Sequence, residues 1–372
     1  MKTQSVRQAV GSLLVIGLGG EELTAMERAW LRLVRPAGII LFRRNITNAG
    51  QTRELLAESL RFCASHCAAF VDVEGGTVDR LREVLAPIPS VEAVARAARE
   101  TGRGSLAREH GELIARAVKA FGFNSSFAPV LDLGLHESKA VMQTRCAAFD
   151  AAGVVVYAKQ FLAGLAAHRV AGCGKHFPGL GGGTLDSHLE TPAIQRTWQQ
   201  LWQEDLVPYR VLRSQLPMIM INHAAYPRTA GEKGPASVSN FWIKQVLRKR
   251  IGYRGIIVSD DLEMGGVTKF MPIEEAAVAT VRAGSDLALI CHHPEPILTV
   301  FESLVAESEK SAAFRRLLLA RARESTRKRV KLFPASMPPA LSRQRFESLR
   351  SQILRFSETI AQSALREEKV AR

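Results

Sequence analysis

Two stretches of this chain carry side chains able to move protons and make bonds. In the first, the apolar run Gly255-Ile256-Ile257-Val258 leads straight into Ser259-Asp260-Asp261-Leu262. An aspartate at a strand tip can attack an anomeric carbon and form a covalent glycosyl-enzyme, provided nearby cations keep it ionised. Side chains alternate along a strand, so only one of Asp260 and Asp261 is expected to face a common mouth. Taken alone, the pair reads better as a metal site or a helix cap. The second stretch is Lys175-His176-Phe177-Pro178-Gly179-Leu180-Gly181-Gly182-Gly183-Thr184-Leu185-Asp186-Ser187-His188. Its glycines give backbone freedom that suits a loop over a ligand better than a packed core. Within it, Asp186 can orient the ring of His188 and stabilise the protonated form that donates a proton. For an isolated Asp-x-His, a loop salt bridge is the commoner alternative.

Such groups need elements to hold them. Eight short apolar runs, over residues 13–18, 38–42, 68–73, 126–132, 171–176, 218–223, 255–260 and 286–291, alternate with helical stretches. That alternation predicts a parallel α/β fold, and eight strands favour a closed (β/α)8 TIM barrel. Polar residues gather where the runs end: Arg43-Arg44-Asn45, Asp72 and Glu74, Asp132, Lys175-His176, Asn222-His223, Ser259-Asp260-Asp261 and His292-His293. Barrel enzymes place their catalytic groups at those C-terminal strand ends. An open doubly wound sheet would instead focus them at one crevice. After the eighth run, helix is expected from 294 to 332, a turn at 334–339, and a further amphipathic helix. The chain is therefore read as one barrel domain over 1–332 with a basic helical extension over 333–372 packed on it.

Composition narrows the function classes. The 372 residues are 47% hydrophobic and 23% charged, an ordinary globular balance. The apolar run near the N-terminus reads as a strand, being too short for a membrane span, and no later segment is long and apolar enough. Five scattered cysteines, an odd number, are read as reduced, and a cytoplasmic location follows. Cys63, His66 and Cys67 lie about one turn apart with no second ligand pair, so no metal is expected. Sixteen basic and five acidic residues lie between Lys310 and Arg372, which puts +11 of the net +14 there. A solvated helical face explains such a run without a nucleic-acid partner, although acidic polymers, membranes or RNA could be met by it.

Taken together, the two chemical segments and the motifs around them resemble glycoside hydrolase family 3, specifically its single-domain, NagZ-type β-N-acetylglucosaminidases. The resemblance runs through Gly38-Ile39-Ile40-Leu41-Phe42-Arg43-Arg44-Asn45, Val71-Asp72-Val73-Glu74-Gly75-Gly76 with Arg80, and Phe127-Ala128-Pro129-Val130-Leu131-Asp132. It continues through the Lys-His-Phe-Pro-Gly loop, Pro235-Ala236-Ser237, and Ile251-Gly252-Tyr253-Arg254-Gly255 before Ser259-Asp260-Asp261-Leu262. What it implies is a retaining exo-β-N-acetylhexosaminidase acting on cell-wall muropeptides or chitin fragments. Asp260 would be its nucleophile and Asp186 with His188 its acid/base dyad. Asp72, Arg80, Arg145, Lys175 and His176 would hold the sugar hydroxyls, with no metal or organic cofactor and the monomer as the favoured state. Relatives usually read Lys-His-Phe-Pro-Gly-His-Gly-Asp-Thr, where this chain has Leu180 and Gly182-Gly183, and the Arg145 segment lacks an aromatic two residues on. Two alternatives stay open: a glycoside phosphorylase or other β-glycosidase of the same family, and a sugar-binding homologue without activity.

Overall fold

The computed structural model describes residues 5–183, 191–229 and 234–370. The apolar runs become the strands of one closed parallel barrel. In chain order its strands are β1 (Leu14–Gly17), β2 (Gly38–Leu41), β3 (Ala68–Val71), β6 (Ser125–Ser126), β7 (Ala171–Phe177), β8 (Met218–Ile221), β9 (Ile256–Asp261) and β10 (Leu287–Ile290). Two more, β4 (Val73–Gly75) and β5 (Val78–Asp79), form a small antiparallel hairpin after β3. Each barrel strand pairs with its neighbour in sequence, and β10 closes on β1 through Leu14 to Ile16. The barrel expected from the eight runs is therefore present.

The pleat sorts side chains into two cores. Met218 and Met220, Ile256 and Val258, and Leu287, Leu289 and Cys291 point inward and fill the barrel with Phe70 and Phe127. Their alternates Ile219, Ile221 and Ile257 point outward against Tyr209, Trp242 and Leu247. With both faces covered, nearly every strand residue is buried, which explains the uninterrupted apolar runs.

One run differs from expectation. Residues 126–132 were expected to form a full strand, but β6 ends at Ser126. Pro129 has no N–H for a ladder, so the segment follows β7 irregularly. It does so through Cys173 N–H to Ala128 O (2.7 Å), Lys175 N–H to Pro129 O (3.2 Å) and Leu131 N–H to Lys175 O (2.6 Å). The chain nonetheless reaches Asp132 at the same rim as the other strand ends.

Side-chain caps mark several of the turns into helices: Thr24, Asn48, Ser90 and Asp150 each accept a backbone N–H in the first turn. Each such cap stabilises its helix by about 1 kcal/mol. At the other end of the barrel, helix Ala312–Leu332 crosses below the strands. Its successor Phe333 meets Phe70 edge-on at 6.2 Å and closes the interior. Helix Arg343–Val370 buries Leu349, Ile353, Phe356 and Ile360 in the same core as the helices around the barrel.

Candidate active site

A cleft of about 460 Å³ opens at the C-terminal ends of the strands. Asp72, Arg80, Arg145, Lys175, His176 and Asp260 all line it, so six side chains far apart in sequence meet there. Thr184 to Glu190, which include Asp186 and His188, lie outside the described residues.

The base of the cleft is a buried charge network centred on Glu74. The hairpin β4–β5 aims this residue inward, and its turn needs glycine. Gly75 has φ +94°, and a Cβ there would lie 2.2 Å from Pro89 O. Arg145 grips Glu74 with two parallel bonds, Nε to Oε2 and Nη2 to Oε1, both 2.8 Å. Lys175 Nζ reaches Glu74 Oε1 at 2.6 Å and Asp72 Oδ1 at 3.1 Å, and Arg80 approaches Asp72 Oδ2 at 3.7 Å. Three cations thus share two carboxylates, leaving a positive excess beside the cleft. Burial alone would push Glu74 up, but Arg145 and Lys175 outweigh it and hold its carboxyl far below the usual range. Asp72 follows the same pattern: burial raises it, while Lys175 and Arg80 bring it below its ordinary value. Lys175 in turn is raised, since Glu74 and Asp72 outweigh its desolvation. A pair this deep costs several kcal/mol to desolvate and holds only when every member is partnered. Its use is to fix donors around the cleft, where hydroxyl groups of a sugar can accept from them.

A second carboxylate, Asp132, sets the imidazole of His176. Asp132 Oδ2 accepts from His176 N at 3.1 Å and Nδ1 at 2.6 Å, so the ring proton sits on Nδ1. Nε2 is then the acceptor that faces Arg145 Nη2 at 3.3 Å. The other oxygen of Asp132 accepts the main-chain N–H of Leu180 at 2.7 Å. Where relatives usually carry histidine, this chain therefore anchors its loop through the backbone and tucks the Leu180 side chain into the outer core. Tyr226 OH donates to Gly179 O at 2.7 Å, and Asn222 Nδ2 donates to His176 O at 2.9 Å, which pins the same limb from β8. Gly182 lies under the stem of Arg196, whose Cδ would be 2.9 Å from an added Cβ.

Asp260 and Asp261 end β9, and both line the cleft, although alternation had predicted that only one would face it. Their roles differ by contact. Asp260 Oδ1 accepts from the N–H of Asp261 at 2.9 Å and is partly exposed to the cleft. Asp261 is buried. Its Oδ1 accepts from Glu263 N at 3.1 Å and Cys291 N at 3.2 Å, and Oδ2 lies 3.3 Å from His292 Nε2. His223 bridges Ser237 Oγ (2.7 Å) and Asp261 O (2.8 Å), tying the tip of β8 to that of β9. Burial, with repulsion from Glu263 and Asp260, pushes the Asp261 carboxyl up to about 8.

That shift predicts a pH signature. The folded protein keeps the Asp261 proton up to about pH 8, whereas the unfolded chain releases it near 3.8. Stability gained from this group is thus full below the unfolded value and is lost as pH rises through the folded one. Relative to Asp261→Asn, which keeps an oxygen for Glu263 N and Cys291 N, wild type should lose up to about 1.4 kcal/mol per pH unit across that window. Urea unfolding of both proteins at a series of pH values checks this, and parallel curves would contradict it.

The outer wall carries Phe42, with the Arg44 guanidinium 4.8 Å and that of Arg80 5.8 Å from its ring centroid and the His292 ring at 5.0 Å. Glu74, Asp132, Phe42, Arg44 and His292 were not among the site residues expected from sequence. Strand-end positions mark Arg44, Asp132 and His292 as near the mouth, but the partners that give Glu74 and Asp132 their roles are distant in sequence.

The glycosyl hydrolase family 3 N-terminal domain matches residues 5–319. The chain is 36% identical to a β-hexosaminidase of Idiomarina loihiensis over 302 residues, 81% of this chain and 90% of that one. To the β-hexosaminidase of Haemophilus influenzae it is 38% identical over 295 residues, covering 79% and 83%. Among solved structures it resembles native NagZ from Neisseria gonorrhoeae, with a TM-score of 0.77, 29% identity and coverage of 95% and 98%. A family 3 β-N-acetylglucosaminidase from Paenibacillus sp. FPU-7 superposes with a TM-score of 0.83 at 29% identity, over 94% of this chain and 68% of that one.

Proposed function

The chain belongs to glycoside hydrolase family 3, and on that premise we propose that it is a retaining exo-β-N-acetylglucosaminidase with Asp260 as nucleophile. The observation that carries the reading is the convergence of Asp72, Arg80, Arg145, Lys175, His176 and Asp260 on one cleft at the strand ends. Asp260 attacks the anomeric carbon. The leaving oxygen takes a proton from His188, which Asp186 orients, and His188 then deprotonates the water that releases the sugar. Lys175, Arg80, Arg145 and Asp72 hold the hydroxyls of the terminal residue, and His176 supports that set through Arg145. The substrates are muropeptide or chitin fragments ending in β-linked N-acetylglucosamine, and the enzyme works as a monomer in the cytoplasm. The five cysteines are unpaired thiols, four of them buried, in keeping with a reducing compartment.

The test compares turnover of an aryl β-N-acetylglucosaminide with that of the matching β-glucoside, with and without phosphate. Preference for the acetamido sugar, with free N-acetylglucosamine as product, is the expected result. Release as the 1-phosphate would make it a phosphorylase, and binding of N-acetylglucosamine without turnover would make it a sugar-binding homologue.

A further inference from the structure

We propose that the end of the barrel opposite the cleft is a docking surface for an anionic lipid bilayer. Helix Ala312–Leu332 lies across this end. Its Lys328 Nζ donates to Gly255 O at 3.1 Å and to Asp286 Oδ2 at 2.9 Å. Arg329 Nη1 donates to Ser65 O at 3.0 Å and His66 O at 3.1 Å. These acceptors stand just before β9, β10 and β3, so the helix is fixed to the N-terminal rim, a full strand length from the cleft.

Its outward face is basic. Arg316, Ala320, Arg323, Arg327, Val330 and Lys331 are all exposed, and their spacing sets them along one helical stripe with no acid among them. The rim around the helix matches it. Exposed Arg35, Arg61, Arg169, Arg213 and Arg254 stand in the connections that lead into β2, β3, β7, β8 and β9. Among all eight connections into the barrel strands, the sole acid is Asp286, and it is buried and paired with Arg248 and Lys328. Glu324 on the flank of the stripe pairs with Arg321 and Lys328, and Glu58 lies near Arg61, yet bases outnumber acids across this end, and the excess draws an extended anionic partner.

Aliphatic side chains on the same end select lipid over nucleic acid. Val330 lies on the helical stripe, and Leu33 and Val211 lie in the last turns of the helices that deliver the chain to Arg35 and Arg213. All three are 46–51% exposed. The large exposed aromatics, Phe149 and Phe270, follow β6 and β9 and so belong to the cleft end. Single-stranded nucleic acid is bound on aromatic platforms, and duplex readout places a helix or ribbon in a groove, whereas this helix lies flat against the barrel. A charged bilayer needs only a flat basic face with aliphatic groups that enter its interface. Docked this way, the cleft would open away from the membrane toward soluble substrates.

The experiment is co-sedimentation of the full chain with vesicles of phosphatidylcholine containing phosphatidylglycerol, against phosphatidylcholine alone, at low and high salt. Binding to the anionic vesicles only, lost at high salt, is expected. Combined Arg316→Gln, Arg323→Gln, Arg327→Gln and Lys331→Gln should weaken it by about a thousandfold, with Tm and turnover of an aryl glycoside unchanged. A second variant, Arg35→Gln with Arg61→Gln, Arg169→Gln and Arg254→Gln, should also weaken it, showing that the whole end binds. Equal partitioning onto both vesicles, or undiminished binding by both variants, would overturn the proposal. So would displacement from the anionic vesicles by a stoichiometric oligonucleotide, which would give this end to nucleic acid.

Discussion

Replacing Asp260 by alanine is expected to lower kcat on an aryl β-N-acetylglucosaminide by about 10⁴-fold or more, because on the proposed reading its carboxylate forms the covalent intermediate. The neighbouring Asp261 offers no substitute. Its carboxyl is occupied by Glu263 N and Cys291 N and holds its proton up to about pH 8, so at neutral pH it is a poor nucleophile. Asp260 instead presents a partly exposed carboxylate to the cleft, with one oxygen held by the N–H of Asp261. An activated fluorinated glycoside that forms the intermediate quickly and releases it slowly should add one sugar to the wild-type mass. Peptide mapping should put that sugar on Asp260 and find none in the Asp260→Ala protein. An adduct on Asp261, or near-normal turnover by the variant, would require a different nucleophile.

The periodicity of the sequence reveals the barrel because both faces of each strand are buried, and long apolar runs at regular spacing have few other uses. It failed at residues 126–132 for a local reason: Pro129 removes a ladder donor, so an apolar run became an irregular strip beside β7. Asp72, Lys175, His176 and Asp260 were legible because each ends a strand and so must reach the mouth. Glu74 was not, since its function depends on Arg145 and Lys175, 71 and 101 positions further on. No local pattern records that these two cations converge on it. The facing of Asp260 and Asp261 was misread for a related reason. Alternation holds within a strand, but β9 shifts register against β10 near its end, and both acids reach the cleft.

Leu180 shows how a departure from a family motif can leave a site intact. A histidine side chain at this position could add a contact, yet the bond that fixes the limb here runs from the main-chain N–H to Asp132, which any residue except proline can supply. The same carboxylate holds His176 Nδ1, so the loop base and the cleft-lining ring are set by one group. Substitution at position 180 therefore leaves this anchor in place while Asp132, Asn222 and Tyr226 remain.

On the proposed reading Asp260 at the base of the cleft is the nucleophile, and the segment beyond Gly183 carries the Asp186-Ser187-His188 sequence suited to proton donation. His188→Ala should then show a loss that depends on the leaving group. With a poorly acidic leaving group such as methylumbelliferone, kcat/KM is expected to fall by about 10³-fold, since that oxygen departs only when protonated. With dinitrophenol, which leaves as the anion, kcat/KM should fall far less, while kcat becomes limited by release of the sugar and a burst appears. Added azide or phosphate, needing no general base, should restore kcat and give β-linked adducts. Asp186→Ala should show the same dependence more weakly, because the imidazole remains but is no longer oriented. Equal losses for both leaving groups, without rescue by anions, would remove His188 from proton transfer and leave the donor to be sought among the other groups that line the cleft.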